Sequence, residues 1–375
     1  MSKKIRLGVL SVENEAYFPY GKQIFFYEDM LRAYPAAPFE VFFFSPLDWK
    51  DGPQTVKGYQ FKSGQWQAVT AEIPRLLYDR AFSKDAAEKL QLEKCRAKLL
   101  QAQHHFLNPL ALVDLLNNKV DFHQFLQNQG IPTLAAYEFA HLPNQSVFET
   151  LATPRIYLKP TFGSKGEGIF VLEKTQDQYL IFDHLGEKTT YTSYTKFWKQ
   201  VTQLIDHPSR YFVQAEAQIV RYQDAPFDVR VVVQNRCGTY KITGLGARIG
   251  QQHSMTSNLN AGGAALPLDE LAAFFQAAYG TDAATQRERM EQICLQCSQR
   301  IAAQYGEFLE IGFDILCTRD QGPIIIEGNA KPSRWIFNVI SDYLIAKGES
   351  GQQYTDLREA SVRVPMEYAA YLLET

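Results

Sequence analysis

Two apolar runs near the end of the chain carry polar residues, and this combination restricts the possible fold most. The run 311–316, Ile-Gly-Phe-Asp-Ile-Leu, contains Asp314, and an unpaired carboxylate inside an apolar strand is costly. The run 324–329, Ile-Ile-Ile-Glu-Gly-Asn, ends with Glu327 and Asn329, which face one side of a strand because they are two residues apart. If the two strands are neighbours, they bring together three oxygen ligands of the kind that Mg²⁺ prefers. The alternative is an aspartate at a strand edge and an ordinary turn after Glu327.

A glycine-rich loop follows Lys159, the last residue of a β-like run at 156–159. Glycines allow backbone N–H groups to turn inward around phosphate oxygens, and a lysine in the loop adds a point charge. The loop is not a Walker A motif, because no Gly-Lys-Ser/Thr sequence opens a helix here. A plain hairpin turn is the alternative. The loop residues that we expect to contact phosphate are Gly163, Ser164, Lys165, Gly166 and Gly168.

Charged residues also occur in the apolar run 227–233, Phe-Asp-Val-Arg-Val-Val-Val, where Asp228 and Arg230 share a face. An arginine in such a strand needs a carboxylate or a phosphate as its partner. Arg248 follows in a Gly-Ala-Arg segment, and backbone N–H groups near Gly262 could stabilise a developing oxyanion. Taken singly, these features are also typical of a buried ion pair, a surface arginine and a flexible turn.

The composition limits the class of protein. The chain has 375 residues, enough for two or three domains of ~100–200 residues each. Its 38 basic and 41 acidic residues leave a net charge of −3, which argues against a nucleic-acid binder. The mean hydropathy is −0.26 and no run of ~18 apolar residues occurs, so we expect no transmembrane helix. Five cysteines are too few for a disulfide scaffold, and we expect a reducing, cytoplasmic setting.

Strands and helices alternate in about the first 110 residues, which predicts a small α/β domain with a largely parallel sheet. The expected strands there are 5–10, 41–44 and 75–79, and the expected helices are 23–34 and 84–103. A short helix at 120–129 follows. Beyond residue 150 we expect mainly antiparallel strands, at 156–159, 168–172, 211–219, 228–234, 240–243, 310–317 and 323–327, and a long helix at 282–305 that buries Cys294 and Cys297.

An ordered series of residues carries a resemblance to a known superfamily. The series is Lys119, Lys159, the loop 163–168, Gln214, Asp228, Arg230, Arg248, Asn258, Asp314, Glu327 and Asn329. Over about residues 115–365 it resembles the ATP-grasp superfamily. Three segments make the whole chain similar to the endospore coat-associated, YheC/YheD-like group: Ile-Pro-Arg-Leu-Leu-Tyr-Asp-Arg at 73–80, Phe-Asp-Val-Arg-Val at 227–231 and Glu-Gly-Asn-Ala-Lys-Pro-Ser at 327–333.

The resemblance implies an α/β (α+β) fold of the ATP-grasp type, in which two α+β lobes clasp ATP. A small α/β pre-ATP-grasp domain, residues 1–112, precedes them. The implied ATP-grasp domain is 113–370, divided into an ATP-lid lobe at 113–212 and a metal-binding lobe at 213–370.

The resemblance also implies roles for individual residues. Lys119 and Lys159 would contact the nucleotide, the loop 163–168 would cover its β- and γ-phosphates, and Gln214 and Glu216 would lie in the hinge between the lobes. The implied metal ligands are Asp314, Glu327 and Asn329, and the implied catalytic residues are Arg230, Arg248, Asn258 and Gly262.

Two positions depart from the family's pattern. Ala215 follows Gln214 where many relatives have an acidic residue, so either Ala215 or Glu216 would face the ribose. Gly328, between two implied metal ligands, replaces the more usual β-branched residue and is expected to weaken the strand there.

The activity that the resemblance implies is that of a carboxylate–amine, peptide-type ligase. It would use ATP and Mg²⁺, or Mn²⁺ in its place, to form an acyl phosphate that an amine attacks, with release of ADP and phosphate. Its substrates would be small-molecule or peptide carboxylates and amines. A kinase acting on a hydroxyl acceptor and a coat-associated structural protein that retains nucleotide binding are the alternatives. The sequence does not decide whether the protein forms a homodimer. No nucleic-acid or membrane partner is expected.

Overall fold

The computed structural model describes residues 6–49, 55–142, 147–163, 168–183, 186–205, 207–251, 257, 259 and 262–374. Within these ranges the chain forms three sheets in succession, each covered by helices. The architecture therefore mixes α and β elements, as the sequence predicts.

The first sheet, here the N-terminal sheet, contains β1 (Arg6–Leu10), β2 (Glu40–Phe44), β3 (Thr55–Lys62), β4 (Gln65–Glu72), β5 (Leu76–Asp79) and β6 (His105–Phe106) in the order β4-β3-β2-β1-β5-β6. Its helices are α1 (Gln23–Ala33) and α2 (Ala86–Gln101). β1 pairs in parallel with β2 and β5, and β5 pairs in parallel with β6, as predicted. The prediction missed the antiparallel hairpin β3–β4, because its strands alternate polar and apolar residues and contain no continuous apolar run.

Two short helices, α3 (Leu110–Asn117) and α4 (Lys119–Asn128), lead to the second sheet. The Oδ1 atom of Asn118 accepts hydrogen bonds from the backbone N–H groups of Val120 (3.1 Å) and Asp121 (3.3 Å), which starts α4 at Lys119. The predicted helix at 120–129 is confirmed. Its buried residues are Val120, Phe122, His123, Phe125 and Leu126.

The second sheet, here the lid sheet, contains β7 (Tyr137–Glu138), β8 (Arg155–Pro160), β9 (Phe170–Lys174), β10 (Tyr179–Phe182), β11 (Lys188–Tyr191) and β12 (Tyr211–Ala215) in the order β11-β10-β9-β8-β12-β7. The helices α5 (Val147–Thr150) and α6 (Tyr194–Leu204) belong to the same unit. Phe197 and Val201 of α6 pack on Ile156, Leu158 and Val213 of the sheet. The opposite face of β8 and β12 carries Lys159 and Gln214, because side chains alternate along a strand.

The third sheet, here the C-terminal sheet, contains β13 (Arg221–Tyr222), β14 (Ala225–Arg236), β15 (Thr239–Ile249), β16 (Ala264–Leu266), β17 (Glu310–Thr318) and β18 (Gly322–Asn329). The order is β16-β15-β14-β17-β18, with β13 paired to β14, and all these pairings are antiparallel. β14 and β15 form one long hairpin, so the strands predicted at 228–234 and 240–243 are present but longer than expected.

Helices cover both faces of the C-terminal sheet: α7 (Ala272–Tyr279) and α8 (Ala283–Tyr305) on one, α9 (Trp335–Ala346) and α10 (Gln352–Glu374) on the other. Cys294 and Cys297 of α8 are fully buried, as predicted. On the other face, a Cβ atom at Gly246 of β15 would lie 2.4 Å from Cδ1 of Ile340. Glycine is needed there because α9 packs directly on the strand.

Asn108, which follows β6, is one of the residues that connect the N-terminal sheet to the C-terminal sheet. The Oδ1 atom of Asn108 accepts hydrogen bonds from the backbone N–H groups of Leu309 (2.9 Å) and Glu310 (3.0 Å). Its Nδ2 atom donates to the carbonyl oxygens of Glu310 (2.9 Å) and Ala330 (2.8 Å). The core of the N-terminal sheet also includes Leu309 and residues of α10, such as Met366. The proposed boundary at residue 112 therefore lies between two units that share a core.

None of the helices in the described ranges is long and apolar enough to cross a membrane.

We predict that Asn108→Ala lowers the free energy of unfolding by about 3 kcal/mol or more, because four hydrogen bonds are lost and backbone groups of β17 are left unpaired. Asn117→Ala is the control, since Asn117 is exposed and its side chain makes no hydrogen bond within the described residues. It should change the value by less than about 0.5 kcal/mol. Urea denaturation followed by tryptophan fluorescence measures both, and equal effects of the two substitutions would contradict the role of Asn108.

Candidate active site

Neighbouring strands of the C-terminal sheet bring the predicted charged residues together. Asp314 on β17 lies opposite Arg230 of β14 on one side and opposite Glu327 of β18 on the other. On the next strand pair, Asp228 of β14 lies opposite Arg248 of β15. Side chains directly opposite each other in such pairs have Cβ atoms about 4.5–5.5 Å apart, so the five form one continuous patch.

Two arginines hold Asp314 between them. Arg230 makes a bidentate contact with it, Nε to Oδ1 at 2.5 Å and Nη2 to Oδ2 at 3.1 Å, and Nη2 of Arg248 lies 2.9 Å from Oδ2. Nε of Arg248 also donates to Oδ1 of Asp228 at 2.5 Å, and the hydroxyl of Ser257 donates to Oδ2 of Asp228. The partners that the sequence required for the arginines are therefore carboxylates.

Burial and neighbouring charges shift the pKa values of Asp314 and Glu327 in opposite directions. Burial alone would raise the pKa of Asp314, but Arg230 and Arg248 outweigh it and hold the pKa below the usual value. Burial raises the pKa of Glu327, and the charge of Asp314 adds to this although Lys119 acts against it. Within the described residues Glu327 makes no hydrogen bond or ion pair, so its negative charge is poorly compensated.

The donor atoms of this patch fit a hard cation such as Mg²⁺. Glu327 offers a carboxylate that is unpaired among the described residues, and Asp314 faces it across the strand pair. Nδ2 of Asn329 donates to Gly312 O (3.3 Å), which leaves the amide oxygen of Asn329 for another partner. In the described ranges no group of three or more His, Cys, Asp and Glu is placed to hold a metal ion. A metal here would thus depend on Asn329 and on oxygens of a ligand.

The glycine between the two ligands on β18 has a packing reason. A Cβ atom at Gly328 would lie 2.6 Å from Cδ2 of Leu116 and 3.1 Å from Cζ of Phe122. A β-branched residue would not fit, because α3 and α4 pack on the strand at this point. β18 runs through to Asn329, with one register shift in its pairing with β17, between Asp314 and Ile315.

The two predicted lysines approach this patch from the lid sheet and from α4. Nζ of Lys159 donates to Oε1 of Gln214 at 2.8 Å, and the backbone N–H of Lys119 donates to Thr161 O at 3.2 Å. Burial, and then the charge of Lys119, lower the pKa of Lys159 to about 8, while the charge of Glu327 acts against this. Lys119 and Glu327 are thus the charged groups that act on the pKa of Lys159.

His123 belongs to the same site, and the sequence analysis missed it. Nε2 of His123 lies 3.0 Å from Nε2 of Gln214, and Nδ1 lies 2.7 Å from Oγ1 of Thr133. Burial lowers the pKa of His123 to about 3, with further contributions from Lys159 and Lys119. The available signal was its spacing: His123 is four residues after Lys119, which places both on one face of α4.

The structure gives less information about the other residues that the sequence analysis assigned to the site. Gly163 and Gly168 flank the loop, whereas Ser164, Lys165, Gly166 and Asn258 lie outside the described residues. Oε1 of Glu216 lies 3.5 Å from Nε of Arg155, so its carboxylate is already engaged.

One prediction about backbone donors needs correction. The N–H of Gly262 donates to Leu259 O at 3.2 Å and closes a turn, with φ of +83° at the glycine. This N–H is therefore not free to stabilise an oxyanion in this conformation.

Comparisons with known proteins identify a family and a fold to which the chain is similar. A family described as YheC/D like ATP-grasp matches residues 103–372. The endospore coat-associated protein YheD of Bacillus subtilis is 25% identical over 375 residues, covering 95% of this chain and 76% of that protein. The endospore coat-associated protein YheC of the same organism is 23% identical over 340 residues, covering 88% and 89%.

A solved structure, that of the D-cycloserine synthetase DcsG, is similar with a TM-score of 0.54 and 10% identity, covering 95% of this chain and 99% of that one. At this identity the likeness shows the fold alone. The resemblance inferred from the sequence, and the ATP-grasp fold that it implies, are confirmed.

We predict that neutralising Asp314 lowers the stability of the metal-free protein at pH 7, whereas neutralising Glu327 does not. Asp314→Asn leaves two buried arginines without their shared charge and should lower the free energy of unfolding by about 3–5 kcal/mol. Glu327→Gln should leave it unchanged or raise it, because the raised pKa means that the ionised side chain costs stability. Urea denaturation with EDTA measures both values, and equal losses would contradict this description of the patch.

Proposed function

The chain belongs to the YheC/D-like ATP-grasp family, and we propose that it is an ATP-dependent ligase that joins a carboxylate to an amine. In this proposal ATP phosphorylates the carboxylate, the amine attacks the acyl phosphate, and ADP and phosphate are released. The observation that carries it is the patch in which Lys159 approaches Glu327, beside Asp314 and its two arginines. Alternating positive and negative side chains of this kind suit the positioning and neutralisation of transferred phosphate.

Asp314, Glu327 and Asn329 would hold Mg²⁺, with Mn²⁺ as an alternative of similar preference. When bound, the ion neutralises charge on the phosphate oxygens of the nucleotide. The carboxylate of Glu327 supports this assignment, because it is half-buried and makes no hydrogen bond or ion pair with the part of the chain that the structure describes. A negative charge in such a position is unfavourable until a cation arrives.

In this proposal, lysine and arginine side chains of the protein would also bind the phosphates. Lys119 and Lys159 would meet the nucleotide from α4 and the lid sheet, and the glycine loop 163–168 would close over it. Arg230 and Arg248 are already held in fixed orientations by Asp314 and Asp228, so they would bind a transferred phosphoryl group without reorganisation.

Other assignments rest on the resemblance alone and form part of the proposal. Gln214 and Glu216 would contact the nucleotide at the hinge. Gly163, Ser164, Lys165, Gly166 and Gly168 would contact phosphate, and Asn258 would assist Arg248 at the acyl phosphate. Gly262 would contribute only if its turn opened.

Buried positive charge at the junction with the N-terminal sheet supports a carboxylate as the acceptor. Four cationic side chains there face two carboxylates, which leaves two positive charges uncompensated among the described residues. Each of these side chains is at most 15% exposed. Uncompensated buried charge is costly and favours an anionic ligand. The residues are Arg80, Arg96, Lys331 and Arg334 on one side and Asp79 and Glu310 on the other.

The topology of the N-terminal sheet agrees with this placement. Arg80 directly follows β5, and the strand order of the sheet reverses at β1, which pairs with β5. In sheets of this kind ligands bind in the crevice outside the carboxyl ends of the strands at such a point. We therefore propose that a small-molecule or peptide carboxylate enters between the N-terminal sheet and the patch on β17 and β18. The need for ATP also favours the cytoplasm as the place of the reaction.

The names of the two Bacillus relatives favour a second candidate, a coat-associated protein that has kept nucleotide binding. These two candidates, and the kinase that the sequence analysis left as an alternative, differ in the products that they form from ATP. A ligase releases ADP and free phosphate only when an acid and an amine are both present, whereas a kinase would leave a stable phosphate ester and a structural protein would release nothing.

We predict that Glu327→Gln lowers Mg²⁺-dependent ADP release in the presence of an acid–amine panel by more than about a hundredfold, because the metal loses a carboxylate ligand. Asp320→Asn is the control, since Asp320 is an exposed acid in the turn that joins β17 to β18. It should leave the rate unchanged. If wild-type protein binds ATP but no acid–amine pair yields ADP, the ligase proposal is wrong and the coat-associated candidate is favoured.

We also predict that ATP affinity falls as the pH rises through about 8, because the pKa of Lys159 lies there and its ammonium is charged only below it. Lys159→Arg should move this loss to higher pH, since a guanidinium stays charged. Adenosine, which has no phosphate, is the control ligand, and its binding should not follow the same pH curve. Calorimetric titration from pH 6.5 to 9.5 measures these affinities, and identical profiles for wild type and Lys159→Arg would contradict the assignment.

A further inference from the structure

Four consecutive hydrogen bonds connect Lys159 in the lid sheet to the backbone of β18. They run from Nζ of Lys159 to Oε1 of Gln214 (2.8 Å), and from Nε2 of Gln214 to Nε2 of His123 (3.0 Å). Nδ1 of His123 then contacts Oγ1 of Thr133 (2.7 Å), which donates to Ile325 O (2.7 Å). The chain of bonds thus ends two residues before Glu327 and spans from one lobe to the other.

The direction of every bond is fixed from the β18 end. A carbonyl oxygen can only accept, so Thr133 gives its one proton to Ile325 O and must itself accept from Nδ1–H of His123. With the proton of a neutral ring on Nδ1, Nε2 is an acceptor and receives an N–H of the Gln214 amide. The amide then turns its carbonyl oxygen towards Lys159.

The Lys159 end dictates the same direction independently. An ammonium group has donors only, so the group that faces it must be the carbonyl oxygen of Gln214 and not its NH₂. The NH₂ group must then face His123, which can receive it only at an unprotonated Nε2. Agreement of the two ends leaves one tautomer of His123 and one orientation of the amide.

Protonation of His123 would break this arrangement, because a donor at Nε2 would face the donor of Gln214. The surroundings oppose it: the ring is 2% exposed, and the charged groups that act on it are the cations Lys159 and Lys119. His123 therefore stays neutral over the whole physiological range of pH.

We propose that His123 is a positioning residue of the nucleotide site, which fixes the Gln214 amide and through it holds the Lys159 ammonium in place relative to the strand of Glu327. The inference rests on the proposed function, in which Lys159 contacts a phosphate of ATP. No contact of His123 with the nucleotide is required.

A matched pair of substitutions at Thr133 tests this without touching the binding residues. Thr133→Val removes the hydroxyl that links Nδ1–H of His123 to Ile325 O, so the ring, the Gln214 amide and Lys159 are no longer held in position relative to the strand of Glu327. We expect the Kd for ATP to rise between about tenfold and a hundredfold, and the Kd for adenosine to stay within about twofold. Thr133→Ser keeps the hydroxyl and should restore wild-type affinity.

A spectroscopic signature separates this role from a general loss of structure. Histidine-selective ¹⁵N labelling gives signals for the seven histidines, and long-range ¹H–¹⁵N spectra identify the protonated ring nitrogen of each. The His123 signal is the one that changes in Thr133→Val and not in Thr133→Ser. It should show Nδ1–H in wild type and no titration between pH 5 and 9.

The outcomes are distinguishable. An Nε2–H tautomer or a titrating His123 in a protein that binds ATP normally would overturn this inference alone, and so would unchanged ATP affinity in Thr133→Val. Wild-type protein that binds no ATP, with Nδ1–H on His123, would overturn the proposed function and the role of His123 with it, while the hydrogen-bond chain would stand.

Discussion

The pairing of Asp314 with Arg230 and Arg248 is the interaction on which the chemistry of the C-terminal sheet depends. Each of these side chains would be costly alone in an apolar strand, and each is tolerated because the register of β14, β15 and β17 sets it opposite an ion of the other sign. The pairing has a consequence for β18. Since the two arginines are engaged by Asp314 and Asp228, Glu327 is left as a carboxylate without a partner among the described residues, which is the condition that attracts a cation.

Side chains from outside the sheet fix the two strands that carry these acids. Asn108 holds the start of β17 and the segment after β18 through four hydrogen bonds to the backbone. Thr133 donates a hydrogen bond to Ile325 O of β18 and also contacts His123, which in turn contacts Gln214 of the lid sheet. The acids are thus placed relative to both neighbouring units, and this suits a reaction in which a nucleotide and an acceptor must meet at one point.

The sequence was sufficient for features that depend on a single strand or helix. Apolar runs located β1, β2, β8, β14, β17 and β18, and charges within such runs pointed to Asp314 and Arg230 because a buried charge needs a partner. The sequence alone did not predict the features below, which depend on contacts between two or more strands or helices. The partner of Arg230 was open between carboxylate and phosphate until the register was known, and the hairpin β3–β4 has no apolar run to mark it. The need for Gly328 follows from α3 and α4 packing on β18, and the role of His123 follows from groups 10 and 91 residues away along the chain.

The central claim is that β17 and β18 present a metal site to a nucleotide bound by Lys159. A crystal structure of the protein with Mg²⁺ and a non-hydrolysable ATP analogue tests it most directly. The account predicts an ion bound by oxygens of Asp314, Glu327 and Asn329 and of the phosphates, with Nζ of Lys159 in contact with a phosphate and the Gln214–His123 bond retained. A nucleotide bound elsewhere, or one whose phosphates face away from Glu327 and Lys159, would contradict it.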